Sequence, residues 1–259
     1  MRGWRKAPYT FLRGAGRVLE LAGRASIYLA IGTLRLADLR TAIAHSWDEL
    51  GPGDDDVSSL MPWEQRLYAR FLKTADRILL VGSGAGRDLV GLLKLGYRVE
   101  GLDVASRAVA HSRHMLDKER LTAELHTGAI EAVELPGSFD AFIFSWCCYS
   151  YIPQLATRVG VLRKVKAQLN PGGRILISYI PAERPPRLLA NRLTRFAGHI
   201  TRSDWRSEPG DVVVASGDWR GIHYEHRFSP SDFENEAGAA GLRVVFHERG
   251  EVGAAVLIV

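Results

Sequence analysis

The chain has 259 residues, 46% apolar and 24% charged, with a net charge of +5 at pH 7; it is long enough to bury a full core and too balanced in composition for a disordered or fibrous protein. Its two cysteines, Cys147 and Cys148, are adjacent, which excludes a disulfide framework and makes a reducing cytoplasm the expected compartment. Residues 1–45 hold eight Lys and Arg against Glu20 and Asp38, a net +6 that leaves the remainder near −1, so the basic character belongs to the N-terminal arm.

No contiguous apolar run with a small-residue cleavage site follows Arg2, Arg5 and Lys6, so no signal peptide is expected. The most apolar early stretch, ASIYLAIGTL (25–34), is about half the ~20 residues needed to cross a bilayer. From Val18 to Leu39 apolar residues recur near helical spacing with arginines between them, predicting one or two amphipathic helices. DELGPGDDDVSS (48–59) reads as a linker. The expected organisation is therefore a basic helical extension and linker over 1–58 and a main domain over 59–259.

MPWEQRLYARFLK places Pro62 at a helix start, with Trp63, Leu67, Phe71 and Leu72 on one face. Strand and helix then alternate. RILLV (77–81) is wholly apolar, as in a strand buried on both faces of a parallel sheet. Helix 86–95, strand 97–103, helix 105–119, strand 123–127, strand 140–144, helix 154–168, the turn NPGG and strand 174–180 follow. Such alternation predicts an α/β, doubly wound, mainly parallel sheet. Residues 181–222 read as an irregular, arginine-rich insert with one helix near 187–197. Beyond it come HYEHRF, helix 231–240 and two strands, LRVVFHE and AAVLIV, joined by RGEVG as a hairpin that closes the sheet.

The chemistry concentrates where the first buried strand turns into a helix. Gly82, Gly84 and Gly86 let backbone approach a ligand, and free N–H groups at the helix start favour electron-rich atoms. Asp103, closing the next strand, is placed to accept hydrogen bonds from both hydroxyls of a ribose. A nicotinamide dinucleotide fits poorly, because its G-x-G-x-x-G fingerprint would need glycine where Arg87 stands.

These residues resemble the class I S-adenosylmethionine-dependent methyltransferases. ILLVGSGAG (78–86) looks like their first motif, GLD (101–103) their ribose-binding acid, GSFDAFIF (137–144) the fourth strand, LNPGGRILIS (169–178) the turn and fifth strand, and FSPSDFENEAGAAGLRVV (228–245) the late helix and sixth strand. The resemblance runs from about Trp63 to Val259. It implies a seven-stranded Rossmann-like sheet with a reversed last strand, S-adenosyl-L-methionine as cofactor, and methyl transfer to an oxygen or nitrogen atom. It further implies that Gly82, Ser83, Gly84 and Gly86 wrap the methionine half and that Asp103 holds the ribose. Val104 would lie against adenine, Ala129 and Ile130 would meet its edge, and Ser145 and Trp146 would flank the methyl group. Many relatives have an acid where this chain has Leu80, a loss that Asp88 offsets if it reaches the cofactor's ammonium; Ala129 stands where many have Asp.

Candidates for a general base are Tyr149 and Tyr151 after the fourth strand, and His223 and His226, histidine being the better base near neutrality. No metal is expected, since His223-x-x-His226 lacks a visible third ligand. Cys147 and Cys148 lack a partner base, and His111 and His114 read as an exposed helix face. The insert over 181–222 reads as a lid whose Arg184, Arg187, Arg192, Arg195, Arg202 and Arg206, with the basic extension, suggest an anionic small-molecule acceptor or a lipid-linked one, and peripheral contact of residues 1–45 with an anionic membrane at its inner face. No nucleic acid is expected, because SWCCYSY (145–151) replaces the Asn/Asp-Pro-Pro-aromatic motif of base-modifying relatives. A methyltransferase-fold protein without catalysis, binding a partner or membrane, is the alternative. The sequence leaves oligomeric state open.

Overall fold

A computed structural model describes residues 6–50, 60–182, 188–215 and 221–259. Two helices, α1 (Lys6–Gly32) and α2 (Leu36–Leu50), precede α3 (Pro62–Phe71). The alternating part runs β1 (Arg77–Val81), α4 (Arg87–Lys94), β2 (Arg98–Asp103), α5 (Ser106–Glu119), β3 (Leu125–Thr127), β4 (Phe139–Phe144), a 3-10 turn (Cys148–Tyr151), α6 (Leu155–Ala167) and β5 (Leu169–Tyr179). Then follow α7 (Leu188–Ile200), β6 (Asp211–Ala215), β7 (Ile222–His226), α8 (Pro230–Ala239), β8 (Arg243–Glu248) and β9 (Gly253–Ile258).

Seven strands form one sheet in the order β3-β2-β1-β4-β5-β9-β8. β1 pairs in parallel with β2 and β4, and β9 runs antiparallel between β5 and β8. The doubly wound sheet and the closing hairpin expected from the sequence are thus present. The order reverses between β1 and β4, and the crevice at such a reversal, outside the strands' carboxyl ends, is where ligands bind in open α/β sheets.

Alternate residues of β1 supply opposite faces. Leu79 and Val81 pack with Phe142, Phe144, Leu162 and Phe233 on one side, whereas Ile78 and Leu80 pack with Leu67, Leu89, Leu92 and Ile143 on the other. A third cluster joins Ile31 of α1, Leu39 and Ile43 of α2, Trp205, Val213 of β6, and Ile222 and Tyr224 of β7. The N-terminal helices and the insert therefore share one core, which the sequence pattern of either alone did not suggest.

Three boundaries differ from the sequence reading. α2 continues into the expected linker as far as Leu50, because Asp48 accepts hydrogen bonds from Arg107 N (2.9 Å) and Ser106 Oγ (3.2 Å) at the start of α5; residues 51–59 lie outside the described residues. The stretch read as the turn NPGG lies inside β5, and a register shift between Phe139 and Ala141 takes up the irregularity. Within 181–222, read as irregular, β6 pairs antiparallel with β7 from Asp211 to Ala215.

Tyr149 and His226, two of the four candidate bases, belong to this buried framework. Tyr149 is 0% exposed, stacked on Phe228, and donates its hydroxyl to Glu236 Oε2 at 2.7 Å. Arg158, also buried, pairs with Glu236 at 2.7 Å and Glu208 at 2.8 Å. His226 Nδ1 lies 2.7 Å from Asp211 Oδ1, which also accepts from Tyr224. Both side chains point into packed structure, so the base role considered for them is corrected: neither meets open space. Removing one partner of a buried ion pair strands the other charge, at a cost of about 3–5 kcal/mol. Glu236→Ala is therefore expected to lower the unfolding free energy by roughly that amount in urea titrations; a loss under about 1 kcal/mol would mean that Arg158 finds other partners.

Candidate active site at the carboxyl edge of the sheet

The turn from β1 to α4 is held from below. Gly82 N and Ser83 N both donate to Leu102 O, at 2.8 and 3.1 Å, and Gly84 N donates to Asp103 Oδ2 at 2.7 Å. Asp103 Oδ1 accepts from Ala105 N at 2.9 Å. Each oxygen of that carboxylate keeps a further acceptor site. Burial raises the Asp103 pKa, while its bonds from Ala105, Gly84 and Val104 N–H pull it back. At Gly84, φ is +54° and a Cβ would meet nothing within 4 Å; the missing side chain leaves room in the crevice. Gly86 differs, since a Cβ there would strike Ser112 Oγ at 2.9 Å. That close packing, with Ser112 Oγ donating to Gly84 O at 2.8 Å, shapes the turn from behind.

The crevice opens into a cavity of about 650 Å³, within the range of small-molecule sites. Gly82, Ser83, Gly84, Asp88, Asp103, Val104, Ala129, Ile130, Ser145 and Trp146 line it. Gly86 is the one expected cofactor-contact residue absent from that wall. Ser83 Oγ is buried without a hydrogen-bond partner, against Gly101 of β2.

One end of the cavity carries an uneven charge. Asp88 and Glu64, at 3% and 0% exposure, share the single cation Arg87. Glu64 meets Arg87 at 2.7 Å and accepts from Met61 N at 2.7 Å; Asp88 is in contact with Arg87 and accepts from Ser145 Oγ. Burial first, then the charge of Glu64, pushes the Asp88 carboxyl up to about 6. Two buried carboxylates against one guanidinium suit a ligand that brings a positive group.

Across the cavity, Trp146 and Cys147 have φ of +46° and +61°, each a costly backbone state. Cys147 N donates to Ser178 Oγ, and that hydroxyl donates to Phe144 O, at 2.9 and 3.0 Å. Held this way, the turn leaves Trp146 49% exposed beside the cavity, with the Arg87 guanidinium 4.9 Å from its ring centroid. Tyr151 also lines the cavity, and it packs against Trp47 at 4.7 Å and His223 at 6.1 Å between ring centroids. His223 stands behind Tyr151, outside the lining, with Nε2 3.5 Å from Glu225. Of the four candidate bases, Tyr151 alone reaches the cavity among the described residues.

Several wall residues had no counterpart in the sequence reading. Arg40, Ile43, Ala44 and Trp47 of α2 cover the cavity, and no described residue of 181–222 lines it; the insert expected as a lid instead supports α2 through β7. Arg184 and Arg187 lie outside the described residues. Arg206 turns onto the carbonyls of Ser203 and Trp205. His111, read as exposed, lines the cavity from α5 together with Met115. The one sequence signal for Glu64 was its place three residues after Met61 at a helix start, a capping position. Nothing short of tertiary structure points to Arg40 or Trp47. Two groups of metal-ligating residues occur among the described residues, Glu100/Glu124/His126 and Glu208/Asp211/His226. Members of both are engaged by arginines, Glu100 by Arg77 and Glu208 by Arg158.

Residues 78–173 match the family described as Methyltransferase domain. A Ubiquinone biosynthesis O-methyltransferase from Albidiferax ferrireducens is 24% identical over 198 residues, 70% of this chain and 77% of that protein. Among solved structures, an S-adenosylmethionine-dependent methyltransferase from Clostridium acetobutylicum superposes with a TM-score of 0.59 at 14% identity, over 83% of this chain and 96% of the other. The glycopeptide N-methyltransferase MtfA, in complex with S-adenosyl-L-methionine, superposes with a TM-score of 0.55 at 18% identity, over 79% and 89%. Residues 78–173 are thus a methyltransferase domain, and the strand order, with the glycine turn braced by its acid, is the fold shared with these S-adenosylmethionine-dependent methyltransferases.

Proposed function

We propose that the chain methylates an oxygen or nitrogen atom of a small-molecule or lipid-linked acceptor that is predominantly apolar. The observation that carries the cofactor half is the Asp103 carboxylate, which braces Gly84 and still has acceptor capacity facing the cavity. In this reading Asp103 takes the ribose hydroxyls, and Val104 with the Ala129–Ile130 loop borders adenine. The Gly82–Gly84 backbone and Ser145 hold the methionine end, and Asp88 accepts the ammonium. Arg87 and Glu64 act through Asp88 as positioning residues. When bound, S-adenosylmethionine supplies a methyl group already activated on a sulfonium, so the protein's task is to hold a nucleophile in line at about 3 Å and to exclude water.

Trp47, Met61, Trp146 and Tyr151 give the remaining wall its aromatic and apolar character, which supports an acceptor with a flat or apolar body. Of the arginines that suggested an anionic acceptor, those described in the insert are absent from the lining, and Arg40 of the extension reaches it already paired with Glu131 at 3.3 Å. Burial raises the Tyr151 pKa, so Tyr151 stays protonated at neutral pH and serves as a hydrogen-bond donor to the acceptor. An oxygen acceptor agrees with the printed name of the ubiquinone-biosynthesis relative, a nitrogen acceptor with that of MtfA. A lipid-linked acceptor agrees with a basic N-terminal helix in peripheral contact with an anionic membrane.

Calorimetry with S-adenosylhomocysteine is expected to show binding that Gly84→Arg abolishes and Asp103→Ala weakens on the order of 100-fold, the loss of two hydrogen bonds to a charged acceptor. Equal heats from the parent and Gly84→Arg would remove the cofactor site.

The Asp88 carboxyl, raised to about 6, sits above the usual carboxylate value, so in the unliganded protein its neutral form is favoured below that pH and its ionisation costs stability above it. A ligand ammonium needs the ionised form. S-adenosylhomocysteine affinity is therefore expected to fall roughly tenfold between pH 7 and pH 5. Asp88→Asn should weaken binding and flatten that profile; an unchanged profile in Asp88→Asn would assign the titration elsewhere.

A further inference from the structure

We infer that α1 and α7 together form a docking surface for an anionic lipid bilayer, with α7 as a second contact beside the N-terminal helix. This extends the membrane part of the reading above to an element outside residues 1–45, and it does not depend on which acceptor is methylated.

The two helices are packed together. A Cβ on Gly32 of α1 would meet Thr194 O at 2.2 Å and Ala197 Cβ at 2.9 Å, and one on Gly198 of α7 would meet Gly32 O at 3.1 Å. The contact uses the face of α7 that carries Thr194, Ala197 and Gly198, all buried. At i, i+4, i+7 and i+11 the opposite face carries Leu189, Leu193, Phe196 and Ile200. Of these Leu189, Phe196 and Ile200 are 73%, 60% and 63% exposed. Arg192, Arg195 and His199 flank the stripe and are exposed.

α1 repeats the pattern. Apart from Ala15, every described side chain from Lys6 to Arg24 is exposed. At 100° per residue Phe11, Ala15, Val18 and Ala22 fall on one side with Leu12 and Leu19 beside them, and Lys6, Arg13, Arg17 and Arg24 fall on the opposite side. Phe11, Leu12, Val18 and Leu19 are 66–74% exposed. A helix that leaves such a stripe in water gains little from packing, and an apolar stripe bordered by arginines is the pattern that settles at a lipid interface. No helix among the described residues is long and apolar enough to cross a membrane.

Charge selects the occupant. α1 and α7 carry Lys6, Arg13, Arg17, Arg24, Arg192 and Arg195 against Glu20 alone, and Glu20 is paired with Arg24 at 2.6 Å. A second copy seated on this surface would set arginine against arginine, whereas anionic headgroups complement it.

Sedimentation of the full chain with phosphatidylglycerol vesicles, beside pure phosphatidylcholine vesicles, tests the inference. Binding is expected to the first, to weaken with added salt, and to fall at least about tenfold in Phe196→Ser/Ile200→Ser and again in Leu12→Ser/Leu19→Ser. Melting with and without S-adenosylhomocysteine, run on the same variants in solution, reads the cofactor site separately and should show the parent's ligand shift. Binding lost with the α1 variant but unchanged in the α7 variant would overturn the shared surface. Absence of vesicle binding, with dimers that the same substitutions dissociate, would overturn the membrane and make this an interface between copies of the chain.

Discussion

The Asp103 carboxylate is the fixed point of the site. It sits at the end of β2, next to the strand whose continuation must turn sharply, and one oxygen takes the N–H of Gly84 while the other takes that of Ala105. The same group thus ties the end of β1 to the start of α5 across the sheet edge. Glycine lets the turn keep φ positive at Gly82, Gly84 and Gly86 without steric cost, and the bracing from below selects that one shape among the many open to a glycine-rich segment. Because both bonds come from backbone, the brace is indifferent to neighbouring side chains, and the residues around it are free to specialise.

That freedom is used in two directions from the crevice. Toward α3 and α4 the wall is electrostatic, with Arg87 and Asp88 lining it and the buried Glu64 behind them paired to Arg87, two carboxylates against one guanidinium. Toward α2 it is aromatic, with Trp47, Tyr151 and Trp146 around a space that has few polar atoms. A cofactor with a cationic end and an acceptor with an apolar body would each meet the surface suited to it. Leu80 is fully buried in the sheet core, and a carboxylate that lines the cavity stands instead in the first turn of α4, at Asp88.

What the sequence disclosed follows from how local each signal is. The glycine turn, Asp103 and the apolar strands were legible because each is written in a few consecutive residues and the sheet imposes its own period. The hairpin of β8 and β9 was legible for the same reason. The roof was not. Arg40, Ile43 and Trp47 reach the cavity because α2 shares a core with Trp205, Val213 and Ile222, residues more than 150 positions away in the chain, and no window of sequence contains that pairing. The candidate bases were read as four equivalent side chains. Burial against Glu236 and Asp211 removed Tyr149 and His226 from contention, and a pattern of polar and apolar letters does not distinguish a tyrosine facing a cavity from one facing a carboxylate in the core. His111 was missed for the opposite reason: α5 exposes one edge to water and the neighbouring edge to the crevice.

The sheet's last-made member lies in its interior. β9 is flanked by β5 on one side and β8 on the other, and all but its final residue is buried. A nascent polypeptide emerging from the ribosome can therefore assemble β1 through β5 while β5 still presents a bare, apolar ladder of amides. β8 by then has nowhere to pair. Residues 253–258 pair with both β5 and β8, so the β8–β9 hairpin can cover the β5 edge in a single docking step, and until it docks that bare apolar edge is open to pairing with other chains.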